Sequence, residues 1–273
     1  MSLAPSQIDS FHENGYLRID NVLGEEDLNP VIWEFETIID SRAREMYRQG
    51  RLSSICETEL FDWRIARLAE QNADIATGLS PMQTRGAAIF NLIRNRKILQ
   101  LLEPLLGSEI MCHPTQVVRP RMRDNFDTHE TWRPTDGAPW HQDAGVLRPD
   151  VDNTLLITVW VPFSSADVDN GCLSVIPGSH KCGIRKHVTT NSYKIPPEEL
   201  PEGTPVSLPV EPGGILLFHV LACHVSLPHA SDRVRWSLDL RYQDPAQPSG
   251  HPYLKGFLVQ SEANPENVLN YPQ

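Results

Sequence analysis

The chain has 273 residues, 40% of them hydrophobic and 22% charged, so it can bury most of its apolar surface in a core without disulfide or metal staples. Its formal charge is −11, from 24 basic against 35 acidic residues. That balance argues against a nucleic-acid partner, which calls for a basic face.

The amino-terminal MSLAPSQIDS has no basic region followed by an apolar stretch, so no secretory signal is expected. Ser6 and Asp9 in SQID read as a capping box opening a short helix that stops near Gly15. YLRI (16–19) alternates like a strand. GEEDLNPV opens a longer helix with acids and a proline near its start, and Val31, Phe35, Ile38, Ile39, Arg42 and Met46 continue it as a mostly apolar stripe. FDWRIARLAEQ and NRKILQLLEPLLG (95–107) also read as helices, the second kinked or ended around Pro104. The texture then changes. Runs at 109–118, 154–163, 172–177, 206–210, 214–219 and 234–242 are short, β-rich and separated by Gly, Pro and Asn. This spacing predicts a sandwich or barrel rather than βαβ units. Asn170-Gly171 is a hairpin signal. The polar stretches 120–139 and 180–205 are long enough to act as lids.

The most apolar run, Gly214–Cys223, is too short to span a bilayer. Five cysteines (56, 112, 172, 182 and 223) are scattered and odd in number. That pattern suits reduced thiols in a cytosol, and Cys223 beside His224 could be oxidation-sensitive. The expectation is a cytoplasmic protein that meets neither membrane nor nucleic acid.

WHQDAGV (140–146) places His141 and Asp143 two apart, where a strand would put both on one face. By chance, a chain with this many His and acids holds about one such spacing, so the pair alone decides nothing. A third metal ligand could come from His219, His224 or His229. In VRWSLDLRY, Arg235, Ser237, Asp239 and Arg241 share one face, opposite Val234, Trp236, Leu238, Leu240 and Tyr242. Such a face suits either a solvated edge strand or a polar interior.

Five motifs in order carry a resemblance: FHENGYLRIDNVLGEEDL (11–28), WHQD (140–143), NGCLSVIPGSHK (170–181), PGGILLFH (212–219) and HVS (224–226) followed by Arg235. Together they resemble the phytanoyl-CoA dioxygenase group of iron(II)/2-oxoglutarate-dependent oxygenases, over roughly residues 8–242. The resemblance implies a mainly β protein with flanking α, a double-stranded β-helix (jelly-roll, cupin-like) core wrapped by N-terminal helices. It implies one domain over 1–273, with a mainly helical part at 1–107, a jelly-roll core at 108–242 and a Pro-rich tail at 243–273. It also implies His141, Asp143 and His224 as iron ligands, and Arg235, eleven residues after His224, as the anchor of 2-oxoglutarate.

Two imidazoles and a carboxylate leave open positions on iron(II) for the 2-oxo acid and dioxygen. Arg suits the far carboxylate, because its planar fork pairs through two hydrogen bonds and stays charged. By the same resemblance Ser226 helps Arg235, Trp160 lies beside the cosubstrate, and Thr115 is its neighbour on the strand at 109–118, with Gln116 favoured if the register slips. If Arg235 points inward, the apolar face of its strand must be covered, and the N-terminal helices could cover it.

The implied reaction consumes O2 and 2-oxoglutarate, releases succinate and CO2, and hydroxylates a C–H bond of a small polar metabolite or natural-product intermediate. Related halogenases lack the carboxylate ligand, so Asp143 favours hydroxylation over halogenation. A jelly-roll protein that binds metal and an organic acid without turnover is the alternative, and Arg235 argues against a mere metal binder. A zinc hydrolase on the same three ligands is a third reading. Arg119, Arg121 and Arg123 are either a solvated cluster or an anion clamp. His129 and Glu130 lie in a polar loop and are either solvated or in contact with substrate, and His180 is placed in a turn near the pocket mouth.

Overall fold

A computed structural model of the chain describes residues 2–77, 79, 85–123, 137–147, 154–189, 193–251 and 253–270. Its amino-terminal part comprises helices α1 (Pro5–Asn14), α2 (Glu25–Arg48), α3 (Phe61–Gln71), α4 (Ala87–Ile93) and α5 (Arg96–Leu106). Strand β1 (Tyr16–Ile19) lies between α1 and α2.

The start of α1 differs from the expected capping box. Proline fits the first helical turn, so the helix begins at Pro5, and Gln7 Oε1 accepts from the Ala4 amide at 2.9 Å. It ends at Gly15, whose φ of 77° is the left-handed conformation glycine adopts readily. The α2 start is as expected: Asp27 accepts from the Gly24 amide at 2.9 Å, and Glu25, Glu26 and Asp27 sit at the positive end of the helix dipole. Val31, Phe35, Ile39, Ala43 and Met46 bury its inner stripe. α5 runs through Pro104 and stops at Gly107. Among the described residues no helix is long and apolar enough to cross a membrane.

The strands that follow are β2 (Ile110–Cys112), β3 (Val117–Arg121), β4 (Leu156–Pro162), β5 (Leu173–Val175), β6 (Val188–Thr189), β7 (Tyr193–Lys194), β8 (Val206–Leu208), β9 (Ile215–His219), β10 (His224–Ser226), β11 (Arg235–Gln243) and β12 (Phe257–Gln260). They form a large antiparallel sheet in the order β1-β9-β4-β11-β2-β12, with β3 also on β11, and a smaller sheet in the order β10-β5-β8. The result is the helix-wrapped jelly roll expected from the sequence.

Three local expectations change. The run 109–118 is two strands, not one, because Pro114 has no N–H to donate to a ladder. The Asn170-Gly171 turn is not a simple hairpin: it carries the chain from β4 in one sheet to β5 in the other. Asn170 shapes that crossing by bonding the Ser165 carbonyl and the Asp167 amide, at 2.7 and 2.8 Å. The large sheet also extends beyond 108–242, since β1 pairs with β9 and β12 with β2.

The large sheet separates two environments. On its outer face Ile157, Val159, Val161, Leu217, Trp236, Leu238, Leu240 and Tyr242 merge with the buried stripes of the helices. Trp236 stacks on Phe61 at 4.6 Å and on Phe35 at 5.6 Å between ring centroids. On the inner face Arg235, Ser237, Asp239, Arg241 and Gln243 are all buried. The alternation in β11 is therefore that of a central strand with a polar interior, not of a solvated edge.

Candidate active site

His141 and His224 meet through a small piece of β-structure. Each donates its amide to the other's carbonyl at 3.0 Å, and their ring centroids lie 4.2 Å apart. Both Nδ1 atoms lie against carbonyls two residues upstream, that of Pro139 at 2.8 Å and that of Ala222 at 2.9 Å. A carbonyl only accepts, so Nδ1 carries the hydrogen and Nε2 is left with a lone pair. Burial, and then the neighbouring His224, push His141 down to about 3, so its imidazole is neutral.

Asp143 does not continue a strand; it opens a short 3-10 turn (Asp143–Val146). Its Oδ1 still lies 3.9 Å from His141 Nε2. One ligand atom from each of His141, Asp143 and His224 lies within 4.8 Å of the others, the one such group found among the described residues. Two imidazoles whose Nδ1 atoms are tied to carbonyls, with an ionised carboxylate beside them, form a donor set that fits a divalent iron.

Burial works against ionising Asp143, but Arg241 together with the neighbouring His224 and His141 outweighs it and holds the carboxyl well below the usual carboxylate range. Arg241 Nη2 donates to Oδ1 at 2.7 Å, and the Thr158 hydroxyl donates to Oδ2. Between the two candidate ligands Gln142 points the other way and ties the segment down. Its Nε2 donates to the Gly183 and Leu221 carbonyls at 2.9 and 2.7 Å, and its Oε1 accepts from the Arg185 amide at 2.7 Å. The Ile195 amide also donates to the Trp140 carbonyl, so the stretch 180–205 is pinned to the WHQD segment at two places.

A cavity extends from the triad between the sheets, lined also by Arg119, Trp160, Leu173, Phe218, Ser226 and Asp239. Behind it Arg235 is fully buried, with its guanidinium 5.2 Å from the centre of the Trp160 ring. Nη1 donates to Ser237 Oγ at 3.0 Å, while Nε and Nη2 have no hydrogen-bond partner among the described residues. Burial, followed by Arg121, pushes this guanidinium down to about 9, so it is still a cation at neutral pH. Ser226 Oγ and Trp160 Nε1 are likewise buried without a partner. A buried cation with two unmatched nitrogens, beside a cavity whose lining carries two further unmatched donors, is suited to hold an anion.

The remaining sequence candidates scatter. Thr115 is not brought to the cavity lining: its carbonyl accepts from Arg241 and its amide donates to His113 Nδ1. Gln116 is buried against Cys112, His113 and Arg85. Arg119 and Arg121 are not solvated. Arg119 pairs with Asp239 at 3.0 Å inside the cavity, and Arg121 donates to the Met122 carbonyl. Arg123 is exposed and paired with Asp232 at 2.6 Å. His219 and His180 pack together at 5.1 Å, away from the triad. His229 is buried next to Gly171. Burial pushes the Cys223 thiol up to about 11, which keeps it protonated and unreactive. His129 and Glu130 lie outside the described residues.

The sequence assigns no role to Arg241, Thr158 or Asp239. The signal for Arg241 was present: it stands six residues after Arg235, an even spacing that puts both on one face.

Comparisons with known proteins agree with this geometry. The family description "Phytanoyl-CoA dioxygenase (PhyH)" matches residues 11–237. The 1-deoxypentalenic acid 11-beta-hydroxylase of Streptomyces arenae is 31% identical over 159 residues, 53% of this chain and 53% of that protein. The peroxisomal phytanoyl-CoA dioxygenase of Rattus norvegicus is 24% identical over 240 residues, 85% of this chain and 66% of that protein. The chain thus spans about half to two thirds of the length of these relatives. Among solved structures the apo form of ThoJ, a non-heme monooxygenase, superposes with a TM-score of 0.66 at 17% identity, covering 97% of this chain and 87% of that one, a likeness of fold. With the profile match spanning most of its length, the chain belongs to the phytanoyl-CoA dioxygenase family.

Proposed function

We propose that the protein is an iron(II)/2-oxoglutarate-dependent dioxygenase that hydroxylates an unactivated C–H bond of a small polar metabolite or natural-product intermediate. In this reading His141, Asp143 and His224 hold the iron, and Arg235, with Ser226 and Trp160 beside it, receives the far carboxylate of 2-oxoglutarate. The observation that carries it is the pairing of the His141-Asp143-His224 group with a fully buried guanidinium whose Nε and Nη2 have no hydrogen-bond partner among the described residues. A metal-only site has no use for that cation.

When bound, the iron would supply oxidation of the substrate by dioxygen, coupled to conversion of 2-oxoglutarate to succinate and CO2. The chain's own residues do the rest. His141, Asp143 and His224 would supply three ligands to the metal, which leaves other positions for cosubstrate and oxygen. Arg235 neutralises a carboxylate where there is little water to do so, which fixes its position. Trp160, Leu173 and Phe218 give the cavity apolar walls that exclude water, while Arg119 and Asp239 offer one polar patch to a substrate. The relative acting on 1-deoxypentalenic acid supports a natural-product scale of substrate.

The test is succinate release. Protein prepared without oxygen is supplied with Fe(II), 2-oxoglutarate and air, with and without a panel of small metabolites. Succinate that requires all three supports the reading, and a panel member that raises it points to the substrate class. No succinate under any condition, together with no binding of 2-oxoglutarate, overturns it.

A further inference from the structure

The carboxylate of Asp143 is restrained by two side chains that belong to neighbouring strands. Arg241 on β11 and Thr158 on β4 are direct register partners, so their Cα atoms face each other across one ladder. Arg241 Nη2 donates to Oδ1 at 2.7 Å while Nη1 donates to the Thr115 carbonyl at 3.2 Å, which prevents the guanidinium from swinging. Thr158 donates its hydroxyl to Oδ2. All three side chains are buried, at 4%, 6% and 3% relative exposure for Asp143, Arg241 and Thr158. Rotation of the carboxylate about its own axis would break both bonds at once, in a place where water does not replace them.

We propose that Arg241 and Thr158 are positioning residues that clamp both oxygens of Asp143, so that the third metal ligand is oriented before any ion arrives. This rests on the reading of Asp143 as a ligand. The clamp accounts for two features that sequence spacing leaves unexplained. Asp143 lies on a 3-10 turn, a weaker support than the strand that carries His224, yet its carboxylate is fixed. A second arginine also lies on the inner face of β11, although Arg235 alone suffices for one cosubstrate carboxylate. Arg235 waits for an external anion, whereas Arg241 already has an internal one.

Positioning and plain electrostatics predict opposite signs. A cation beside a metal repels it, so if Arg241 acted only through its charge, removing it would tighten metal binding. As part of a clamp, its removal weakens binding.

The experiment is an anaerobic titration of the metal-free full-length chain with Co(II), read by its ligand-field absorption, with thermal melts as the folding control. Loss of an interaction around a metal ligand costs about 10–100-fold in metal affinity, and a loss of that size is expected for Thr158→Val and Arg241→Met. Thr158→Ser keeps the hydroxyl and should bind as the unaltered protein does, and Arg241→Lys should recover part of the loss. Thr158→Val keeps the side-chain shape, so it carries the test even if Arg241→Met fails to fold. Co(II) affinity in Thr158→Val equal to that of the unaltered protein, or tighter binding in a folded Arg241→Met, overturns the clamp. Asp143→Ala separates the two readings: if it too binds Co(II) normally, the ligand assignment itself falls.

Discussion

Alternate residues of β11 face two different environments. Trp236, Leu238, Leu240 and Tyr242 enter a dry layer between the large sheet and the N-terminal helices, where aromatic rings stack and the Tyr242 hydroxyl finds the Ile93 carbonyl at 2.9 Å. Arg235, Ser237, Asp239 and Arg241 enter the space between the two sheets, where, among the described residues, Arg241 has a carboxylate partner in Asp143 and two nitrogens of Arg235 have no partner. The outer face gains stability from apolar area removed from water. The inner face gives some of that up, since a buried cation without a full set of partners is costly, and in the proposed function that cation receives the cosubstrate. One strand thus divides folding from function by the parity of its residue numbers, and substitutions can pull the two apart.

The largest effect is expected on the outer face. Trp236→Ala removes a fully buried indole and should cost about 3–5 kcal/mol, read as a lowered urea midpoint with an unchanged m-value. The surviving folded fraction should bind 2-oxoglutarate normally, and a comparable loss of cosubstrate affinity would break the separation of faces.

Arg235→Leu is the converse. Removing one partner of a buried ion pair costs about 2–5 kcal/mol, so the KM for 2-oxoglutarate should rise by about one and a half to three and a half orders of magnitude. Thermal stability of the cosubstrate-free protein should hold or increase, because an unpartnered buried cation has gone. A large fall in Tm would show that the guanidinium is structural.

An intermediate effect concerns two imidazoles outside the triad. Burial pushes both His113 and His219 down to about 4. The unfolded chain takes up these protons near its ordinary value of about 6.5 while the native state refuses them, so stability is full above that pH and falls as pH drops toward about 4. Each contributes at most about 1.4 kcal/mol per pH unit in that window. Urea midpoints of the metal-free protein at pH 7.5 and 5.5 measure the slope, which His219→Gln should reduce.

The smallest effect tests the edge of the basic cluster. Arg123 and Asp232 form an exposed pair, so Arg123→Ala should change stability by less than about 1 kcal/mol and leave cosubstrate affinity alone. A marked loss of 2-oxoglutarate binding would draw Arg123 into the site.

Much of this was legible in the chain because periodicity is local. The stripe of α2, the glycine stop of α1 and the alternation of β4 and β11 follow from spacings of 3.6 and 2 residues, and all appear in the structure. The break at Pro114 is equally local, since a proline has no N–H for the ladder, although the apolar run continues across it. The Asn170-Gly171 turn illustrates the limit: the dipeptide specifies a sharp reversal, but not which sheet the chain joins afterwards.

What the sequence determined by itself, then, is which side chains share a face: Arg235 with Arg241, Thr158 with Trp160, His224 with Ser226. It could not say which face is wet, because that depends on what packs against the strand, and the covering helices lie more than a hundred residues away in the chain. Only the tertiary structure decided that the polar face of β11 is interior, that Arg241 is already paired with Asp143 while Arg235 is not, and that Arg119 turns to Asp239 rather than to solvent. The physical reason is that a guanidinium chooses its partner through space, across a ladder or a cavity, and nothing in its neighbours along the chain reveals which carboxylate folding will bring near.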